Sequence, residues 1–276
     1  MTTLIIYHQV KQGINCPDGI AAAWVAKQAY SGADILGCVY GEEPSDISRY
    51  TNIVIVDFSF SKPILEQWAK RQSITVIDHH KTAWENFQDL SKQIYRKFDM
   101  NECGASLTWK FYFPNQPMPL FLEYIRDRDL WNHQLEFTEE IHEASASIGR
   151  TFEFFDKIAP MGKQELFDYL VPIGVEKLKP KREAIALAVQ RLEFGTVAEY
   201  GNIPFVQVKP EEERLVSDIC SAMYKKLPDA YFVACVTGDR KWSLRSDKNG
   251  NDTDVGAIAK SLGGGGHRNA AGFEER

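Results

Sequence analysis

The chain has 276 residues, of which 44% are hydrophobic, and its formal net charge at pH 7 is −6. This length allows one large or two modest globular domains, and the hydrophobic share is ordinary for a protein with a buried core. The negative charge argues against a protein that coats long duplex nucleic acid, because such binding neutralises many phosphates. Short or single-stranded phosphate substrates stay compatible with it, since a local basic pocket is enough to bind them.

The cysteines and the N-terminus indicate where the protein works. The five cysteines are scattered, and no pair has the CxxC spacing of a redox or zinc site. This pattern favours a reducing compartment, so we predict a cytoplasmic protein. The apolar run at residues 4–7 is too short for a signal peptide or a membrane span, and we interpret it as a first buried strand.

Short apolar runs rich in β-branched residues alternate with helical stretches in the first hundred residues. The runs lie at residues 4–7, 35–40, 53–56 and 74–77. Residues 19–30 are rich in alanine with apolar residues at helical spacing, and Ser61 and Pro63 are typical of a helix start. The alternation predicts a parallel sheet that helices cover on both faces.

The pattern becomes helical from about residue 104 to about residue 195. We predict helices at residues 105–113, 120–126, 139–148 and 165–170, and a long one with Pro180 near its start that runs to residue 194. Strand patterns then return at residues 197–200, 204–208, 231–236 and 242–245, with helices at 214–226 and 255–262.

These patterns predict an α/β fold with two domains. The larger domain, residues 1–178, contains the parallel sheet and has a helical C-terminal half. Residues 179–196 form a helical linker, and residues 197–276 form a smaller α/β domain. We expect the active site to lie in the cleft between the two domains.

Side chains that bind metal ions follow three of the four predicted strands of the larger domain. These side chains are His8, Asp57, Asp78, His79 and His80, and Asp18 precedes the helix at residue 19. In an open α/β sheet, ligands bind beyond the carboxyl ends of the strands, so we expect these residues to converge. Carboxylates with imidazoles suit Mn²⁺, with Co²⁺, Mg²⁺ or Zn²⁺ as substitutes. Two ions about 3.5–4 Å apart would activate a water and polarise a phosphoryl group.

Four segments resemble motifs of the DHH phosphoesterase superfamily. They are IVIVDFSF (53–60), VIDHHKTA (76–83), YIRDRDLW (124–131) and GGGGHRNAAGF (263–273). The last is similar to the end of the DHH-associated domain of oligoribonuclease, RecJ-like and cyclic-dinucleotide phosphodiesterase members. The resemblance spans nearly the whole chain, and it implies metal-dependent hydrolysis of phosphoesters.

The resemblance also implies roles for the candidate metal ligands. Asp57 would bridge two metal ions. His79 and Asp127 would join Asp18 on one of these ions. His8 would help to hold the other.

The remaining residues of the DHH segment receive catalytic roles by the same resemblance. His80 would face the phosphate, where it could stabilise developing charge or assist the leaving group. Asp78 would orient the two histidines rather than bind metal itself. Asp129 could replace Asp127 as a metal ligand, but the spacing to Trp131 favours Asp127.

The first motif departs from the family pattern, in which a histidine is followed by two aspartates with one residue between them. Here Cys16 stands in the place of the first aspartate, and a longer loop separates it from His8. A thiolate at Cys16 would suit zinc better than manganese, and a small buried thiol without a metal is an equally open interpretation. The sequence therefore does not decide whether one or two metal ions bind.

The C-terminal segment is predicted to bind the substrate. Consecutive glycines let backbone amides approach an anion closely, and the resemblance adds phosphate contacts at the end of a strand. The predicted substrate-binding residues are Arg245, Ser246, Gly264, Gly265, Gly266, His267 and Arg268, with Asn269 as a weaker candidate. The predicted partner is a short single-stranded oligonucleotide or a dinucleotide, with no membrane and no long duplex, and a homodimer is left open.

Several other residues receive structural interpretations. We predict that Trp109, Trp131 and the aromatic residues at 152, 154 and 155 belong to the core, and that His133 and His142 have surface or capping roles.

The predicted function is manganese-dependent hydrolysis of phosphodiester bonds in short oligonucleotides or dinucleotides, as in an exonuclease. One alternative is a phosphoanhydride hydrolase of the exopolyphosphatase or pyrophosphatase type, against which the GGGGH segment argues. The other is a nucleotide-binding regulatory module with a decayed metal site, an alternative that the Cys16 substitution keeps open.

Overall fold

The computed structural model describes residues 2–44, 46–87, 89–238, 240–247 and 253–275. The chain divides into two compact units, Met1–Lys177 and Leu178–Arg276. Each unit contains a sheet with helices packed on it, so the predicted α/β class is confirmed.

The N-terminal unit is built on a mainly parallel sheet. Its first elements are β1 (Thr3–Lys11), β2 (Ile14–Asn15), α1 (Pro17–Ala29), β3 (Asp34–Cys38), β4 (Asn52–Val56), α2 (Lys62–Trp68), β5 (Ser73–Asp78), α3 (Lys81–Asn86) and β6 (Ile94–Phe98). Strand β1 lies between β3 and β4, and β5 and β6 continue the sheet beyond β4, all in parallel. Strand β2 is antiparallel to β1.

Helices on both faces bury the central strands. Strand β4 is buried at every position, with Ile53 and Ile55 in one core and Val54 and Val56 in the other. Helix α1 is buried from residue 19 to residue 26, because its alanines let it pack closely on the sheet. A helix that is apolar on all sides is typical of such an enclosed position.

The strand order reverses at β1. Helix α1 connects β1 to β3 on one side, and the chain then returns to place β4 on the other side. Such a reversal opens a crevice at the carboxyl ends of the two strands. His8 lies near the end of β1 and Asp57 follows β4, so this topology brings the two residues together.

Helices occupy the rest of the unit. They are α4 (Gly104–Tyr112), α5 (Leu120–Asp129), α6 (Thr138–Ile148), α7 (Phe152–Ile158) and α8 (Lys163–Gln190). Helix α8 is continuous through the helix predicted at 165–170 and through most of the predicted linker helix at 179–196, and it ends at Gln190. A proline inside a helix costs about 3 kcal/mol, and burial of Leu166, Leu170 and Leu178 at helical spacing helps to offset that cost at Pro180. Among the described helices, none has both the length and the apolar character that crossing a bilayer requires.

The C-terminal unit contains a second, mostly antiparallel sheet. Its elements after α8 are β7 (Glu193–Val197), β8 (Tyr200–Val208), a 3₁₀ helix (Pro210–Leu215), α9 (Val216–Lys226), β9 (Val233–Thr237), β10 (Lys241–Arg245), α10 (Val255–Ser261), β11 (Gly265–His267) and β12 (Ala270–Glu274). The strand order is β11-β12-β10-β9-β8-β7, and only the β8–β9 pair is parallel among the described pairs.

Candidate functional site

Asp57 lies at the centre of a cluster of metal-ligand side chains at the carboxyl edge of the first sheet. Its side chain is buried, and its backbone is left-handed with a φ of 52°. Its N–H group donates a hydrogen bond of 2.9 Å to the carbonyl of Ile77 in β5. A non-glycine residue in this region is strained, and such strain persists at functional sites where the surrounding fold holds the residue in place.

The two carboxylate oxygens of Asp57 face different neighbours. Its Oδ1 lies 3.1 Å from Nε2 of His79. Its Oδ2 lies 3.7 Å from Nδ1 of His8, and it accepts a hydrogen bond from the thiol of Cys16 at 3.6 Å. Asp57 is therefore shared by two groups of possible metal ligands.

We name the group on the Oδ1 side the oxygen set, which consists of Asp18, Asp57, His79 and Asp129. Nε2 of His79 lies 3.6 Å from Oδ2 of Asp18 and 3.7 Å from Oδ2 of Asp129. We name the group on the Oδ2 side the thiol set, which consists of His8, Cys16 and Asp57. The donor atoms of the thiol set all lie within 4.8 Å of one another.

The pKa shifts in the oxygen set indicate that additional positive charge would stabilise this group of residues. Burial raises the pKa of Asp18, and the charges of Asp57 and Asp129 raise it further. Burial likewise raises the pKa of Asp129. Burial alone would lower the pKa of His79, but its hydrogen bond to Asp57 and the nearby carboxylates raise this pKa to about 9. Burial opposes ionisation of Asp57 too, yet the hydrogen bonds from His79 and His8 hold its pKa well below the usual value.

The start of helix α4 holds Asp18 in place. The N–H groups of Gly104 and Ala105 donate hydrogen bonds of 2.5 Å and 2.8 Å to the two oxygens of Asp18. The positive end of the helix dipole stabilises this carboxylate. A Cβ atom at Gly104 would lie 2.4 Å from Cβ of Asp57, so only glycine lets α4 approach so closely. Sequence reasoning missed Gly104, because only a contact distant in sequence reveals its role.

Asp78 contacts the ring of His80, and its oxygens are occupied by hydrogen bonds. Its Oδ1 lies 2.7 Å from Nδ1 of His80 and accepts from the backbone N–H groups of His79 and His80. Its Oδ2 accepts from the hydroxyl of Ser59 at 2.6 Å. The hydrogen bond to Asp78 raises the pKa of His80, whose side chain is 37% exposed. Ser59 was missed by sequence reasoning.

The position of His8 depends on small and aromatic neighbours. A Cβ atom at Gly19 would lie 2.5 Å from the carbonyl oxygen of His8, so glycine lets α1 pack on β1 at this point. The ring of His8 is stacked on that of Phe58, and the ring of Tyr40 lies 5.1 Å away. These contacts fix the imidazole next to Asp57.

The donor chemistry of the cluster fits divalent cations. The oxygen set offers three buried or partly buried carboxylates and one imidazole. Burial, and after it the neighbouring negative charges, raise the pKa of Asp18 and of Asp129. A divalent ion would satisfy these charges better than the single proton of His79 does. Asp18, Asp57, Asp129 and His79 are therefore the residues that would hold such an ion.

The structure places Asp129, rather than Asp127, beside His79. The carboxylate of Asp127 accepts hydrogen bonds from the N–H groups of Gln134 and Leu135 and from the hydroxyl of Thr138 at 2.5 Å. These bonds fasten the loop between α5 and α6, and the metal-ligand groups among the described residues do not include Asp127. Asp129 occupies the position beside His79 instead.

This assignment predicts opposite effects for two substitutions. Asp129→Asn should weaken metal binding about tenfold or more while leaving the free energy of unfolding of the metal-free protein nearly unchanged. Asp127→Asn should lower that free energy by about 1–3 kcal/mol, because the amide leaves buried donors without an acceptor. Calorimetric metal titration and urea unfolding measure the two effects, and the reverse pattern would restore Asp127 as the ligand.

The predicted substrate-binding side chains of the C-terminal unit differ in exposure and in hydrogen-bond partners. The guanidinium of Arg245 donates to the carbonyl of Leu244 and to the hydroxyl of Ser217. The hydroxyl of Ser246 accepts a hydrogen bond of 2.9 Å from the side chain of Asn269. Arg268 is exposed and lies 3.4 Å from Asp254, and His267 is exposed on β11.

The glycine run belongs partly to the second sheet. The N–H groups of Gly263 and Gly264 donate to carbonyls at the end of α10, and residues 265–267 form the strand β11. A Cβ atom at Gly264 would lie 2.1 Å from the carbonyl oxygen of Gly272, so close packing on β12 requires this glycine. Gly265 and Gly266 pair with Gly272 and Ala271 of β12. The amides of Gly263 and Gly264 are thus used within the fold.

Trp131 is not a core residue. Its side chain is 65% exposed, and the guanidinium of Arg128 lies 4.4 Å from the centre of its ring. Its backbone is left-handed, as are those of His133 and Phe137 in the same loop. Trp109 is buried, as predicted.

Comparison with known proteins gives two results for the sequence. No family model matches the chain. The chain is 24% identical over 294 residues to uncharacterized protein R106 of Acanthamoeba polyphaga mimivirus, and the match covers 98% of this chain and 66% of that protein. The chain therefore spans slightly less than two thirds of the length of that relative.

Two solved structures are similar over nearly the whole chain. A pGpG-specific phosphodiesterase, PggH, from Vibrio cholerae has a TM-score of 0.54 at 15% identity and covers 100% of this chain and 93% of its own. The DHH domain of a member of a family of ribosomal proteins has a TM-score of 0.55 at 14% identity and covers 99% of this chain and 82% of its own. This chain therefore shares its overall fold with these two proteins, the second of which is a DHH domain.

Proposed function

We propose that this chain is a metal-dependent phosphoesterase of the DHH superfamily whose centre is the cluster around Asp57. The observation that carries the proposal is the division of the Asp57 carboxylate between two ligand groups, with His79 at one oxygen and His8 and Cys16 at the other. A buried carboxylate between two groups of donors is suited to two neighbouring cations. When bound, divalent ions provide Lewis-acid stabilisation of phosphoryl charge and activate water at neutral pH.

Manganese is the ion that we propose for the oxygen set. Three carboxylates and one imidazole form a donor group of intermediate hardness, which suits Mn²⁺, with Co²⁺ or Mg²⁺ as substitutes. Asp18 and Asp57 are held by α4 and by the sheet, so the ligands are already in place. A fixed arrangement avoids the cost of reorganising ligands during the reaction.

His80 is the proposed proton donor. Its Nδ1 lies 2.7 Å from Asp78, which favours the protonated ring, and the other ring nitrogen is left for the substrate. A protonated imidazole can stabilise charge on the phosphate oxygens or protonate the leaving oxygen. Asp78 acts through His80, because its own oxygens are occupied by Ser59 and by backbone N–H groups.

Short oligonucleotides or dinucleotides are the proposed substrates. The exposed ring of Trp131 follows Asp129 by two residues, so their Cα atoms are at most about 7 Å apart. An exposed aromatic ring two residues from a candidate metal ligand is suited to stacking on a nucleobase, which polyphosphate and pyrophosphate lack. The arginines and serine of the C-terminal unit, at residues 245, 246 and 268, are the proposed phosphate contacts.

The role of Trp131 is open to a direct kinetic test. Trp131→Ala should raise KM for a dinucleotide roughly tenfold, since stacking contributes about 1–3 kcal/mol per base. It should leave KM for an abasic dinucleotide unchanged, because that phosphodiester has no aromatic ring on which the indole can stack. Trp131→Phe retains an aromatic face and should recover most of the affinity. An equal rise in KM for both substrates would contradict stacking on the base.

A panel of substrates tests the proposed function. The metal-free protein, supplied in turn with Mn²⁺, Co²⁺, Zn²⁺ and Mg²⁺, is assayed against short 5′-phosphorylated RNA, cyclic and linear dinucleotides, polyphosphate and pyrophosphate. We expect Mn²⁺-dependent release of mononucleotides from the short RNA or the dinucleotides. Cleavage confined to polyphosphate or pyrophosphate would replace this proposal by a phosphoanhydride hydrolase. Hydrolysis of none of these compounds would favour a nucleotide-binding module.

A further inference from the structure

The side chain of Cys16 points towards Asp57 and does not cap helix α1. Cys16 is the residue before helix α1, a position where Ser, Thr or Asp side chains cap the helix. Its side chain makes no capping hydrogen bond, and its thiol donates to Oδ2 of Asp57 at 3.6 Å. It is the one partly exposed cysteine of the five, whereas Cys38, Cys103, Cys220 and Cys235 are buried.

The spacing of the thiol set agrees with a small tetrahedral ion. Bonds of about 2.3 Å to sulfur, 2.0–2.1 Å to nitrogen and 2.1 Å to oxygen give a sulfur–oxygen distance of about 3.6 Å and a nitrogen–oxygen distance of about 3.4 Å at the tetrahedral angle. The sulfur of Cys16 and Nδ1 of His8 lie 3.6 Å and 3.7 Å from Oδ2 of Asp57. Three protein ligands leave the fourth position open, as in catalytic zinc sites.

The chemistry of the two sets differs in a way that separates metals. The thiol set contains one sulfur, one nitrogen and one oxygen donor, whereas the oxygen set contains three carboxylates and one imidazole. Thiolate ligands select zinc and similar thiophilic ions, and carboxylates suit manganese. Burial and the carboxylates of Asp57 and Asp18 raise the pKa of the Cys16 thiol, so the charge of a bound cation is needed to stabilise the thiolate.

We propose that His8, Cys16 and Asp57 form a thiolate position for Zn²⁺ or a similarly thiophilic ion, next to a manganese position in the oxygen set. Binding of the ion displaces the proton of the Cys16 thiol, which passes to solvent, and the thiolate and the Asp57 carboxylate balance the two charges of the ion. The inference rests on the proposed metal centre and is independent of the substrate.

Cobalt is the probe that tests the thiolate bond. A Co²⁺–thiolate bond produces charge-transfer absorption in the near ultraviolet, which carboxylate and imidazole ligands do not. Titration of the full-length, metal-free protein with Co²⁺ should produce this absorption in the wild type and in Cys38→Ala, and it should be absent in Cys16→Ser and Cys16→Asp. An unchanged spectrum in Cys16→Ser, or no charge-transfer absorption in the wild type, would overturn the inference.

Competition between metals gives a second readout. After dialysis against Mn²⁺ in large excess over Zn²⁺, the wild type should retain about one zinc per chain, because the excess Mn²⁺ occupies the oxygen set although most sites bind zinc more tightly. Cys16→Asp supplies a carboxylate at the same position and should shift the ratio of bound zinc to manganese towards manganese by about tenfold or more. Equal ratios in the two proteins would overturn the proposal.

Alkylation of the wild type covers the case in which the variants fail to fold. Iodoacetamide should modify Cys16 before the buried cysteines, and Zn²⁺ should slow this modification at least tenfold, with Cys38 as the internal control in mass spectrometry. Modification of Cys16 at the same rate with and without Zn²⁺ would overturn the thiolate position. Hydrolysis of nucleotides without a charge-transfer band would defeat this inference alone, and a band without any hydrolysis would defeat the proposed function alone.

Discussion

We expect Asp57→Asn to lower kcat/KM for a dinucleotide about a thousandfold at saturating Mn²⁺. The substitution removes the negative charge that the oxygen set and the thiol set share, and it replaces one oxygen by an NH₂ group that repels a cation. Metal ions contribute several kcal/mol of transition-state stabilisation, and a loss of about 4 kcal/mol corresponds to a thousandfold decrease in rate.

Asp34→Asn is the matched control for this experiment. Asp34 is an exposed aspartate at the start of β3, where it forms an ion pair with Arg49. Exposed ion pairs contribute at most about 1 kcal/mol to stability, so this variant should keep full activity and a nearly unchanged melting temperature. Full activity of Asp57→Asn with Mn²⁺ would remove Asp57 from the reaction centre.

The second large effect is expected at Gly104, which does not itself offer a metal ligand. In Gly104→Ala the new Cβ atom would lie 2.4 Å from Cβ and 2.9 Å from Cα of Asp57. Both elements are held by backbone hydrogen bonds, so α4 has to move away and the N–H donors of Asp18 move with it. We expect a loss of about 1–3 kcal/mol in the free energy of unfolding and about 100-fold in kcat/KM.

Gly32→Ala provides the control for a glycine outside the site. Gly32 is exposed, and no atom lies within 4 Å of the position of an added Cβ. This variant should match the wild type in urea unfolding and in metal titration. If Gly104→Ala also matched the wild type in both measurements, the close approach of α4 to Asp57 would not be required for the site.

The central strands and most of the cluster were predictable because their information is local. Strands β1, β4 and β5 are short apolar runs, and His8, Asp57 and His79 lie where those runs end. The edge strand β6 was missed because the adjacent charged residues Arg96 and Lys97 interrupt its apolar residues, which an edge position tolerates.

The choice between Asp127 and Asp129 depends on information that the local pattern lacks. The side chains of residues that are two positions apart on a helix point about 200° away from each other. Only one of the two aspartates can therefore face the cluster. Which one does so is determined by the rotation of α5, and hence by its packing against α4 and α6. The loop that Asp127 fastens also places Trp131 at the surface, which its large apolar side chain did not suggest.

The contacts of glycines were also beyond sequence reasoning. Gly104 matters because of Asp57, which is 47 residues earlier in the chain, and Gly264 because of Gly272 on the neighbouring strand. Neither partner is visible from local propensity. A glycine run has the same composition in an open loop and in a strand that packs tightly, and the pairing of β11 with β12 decides between them.

Anomalous scattering from crystals grown with Mn²⁺ and Zn²⁺ tests the account most directly, because it locates each ion and identifies its element. We predict two peaks, one at each carboxylate oxygen of Asp57, with manganese among Asp18, His79 and Asp129 and zinc between His8 and Cys16. An ion bound away from Asp57, or no ion in crystals of protein that hydrolyses a dinucleotide, would contradict the claim that the two oxygens of Asp57 each bind one catalytic ion.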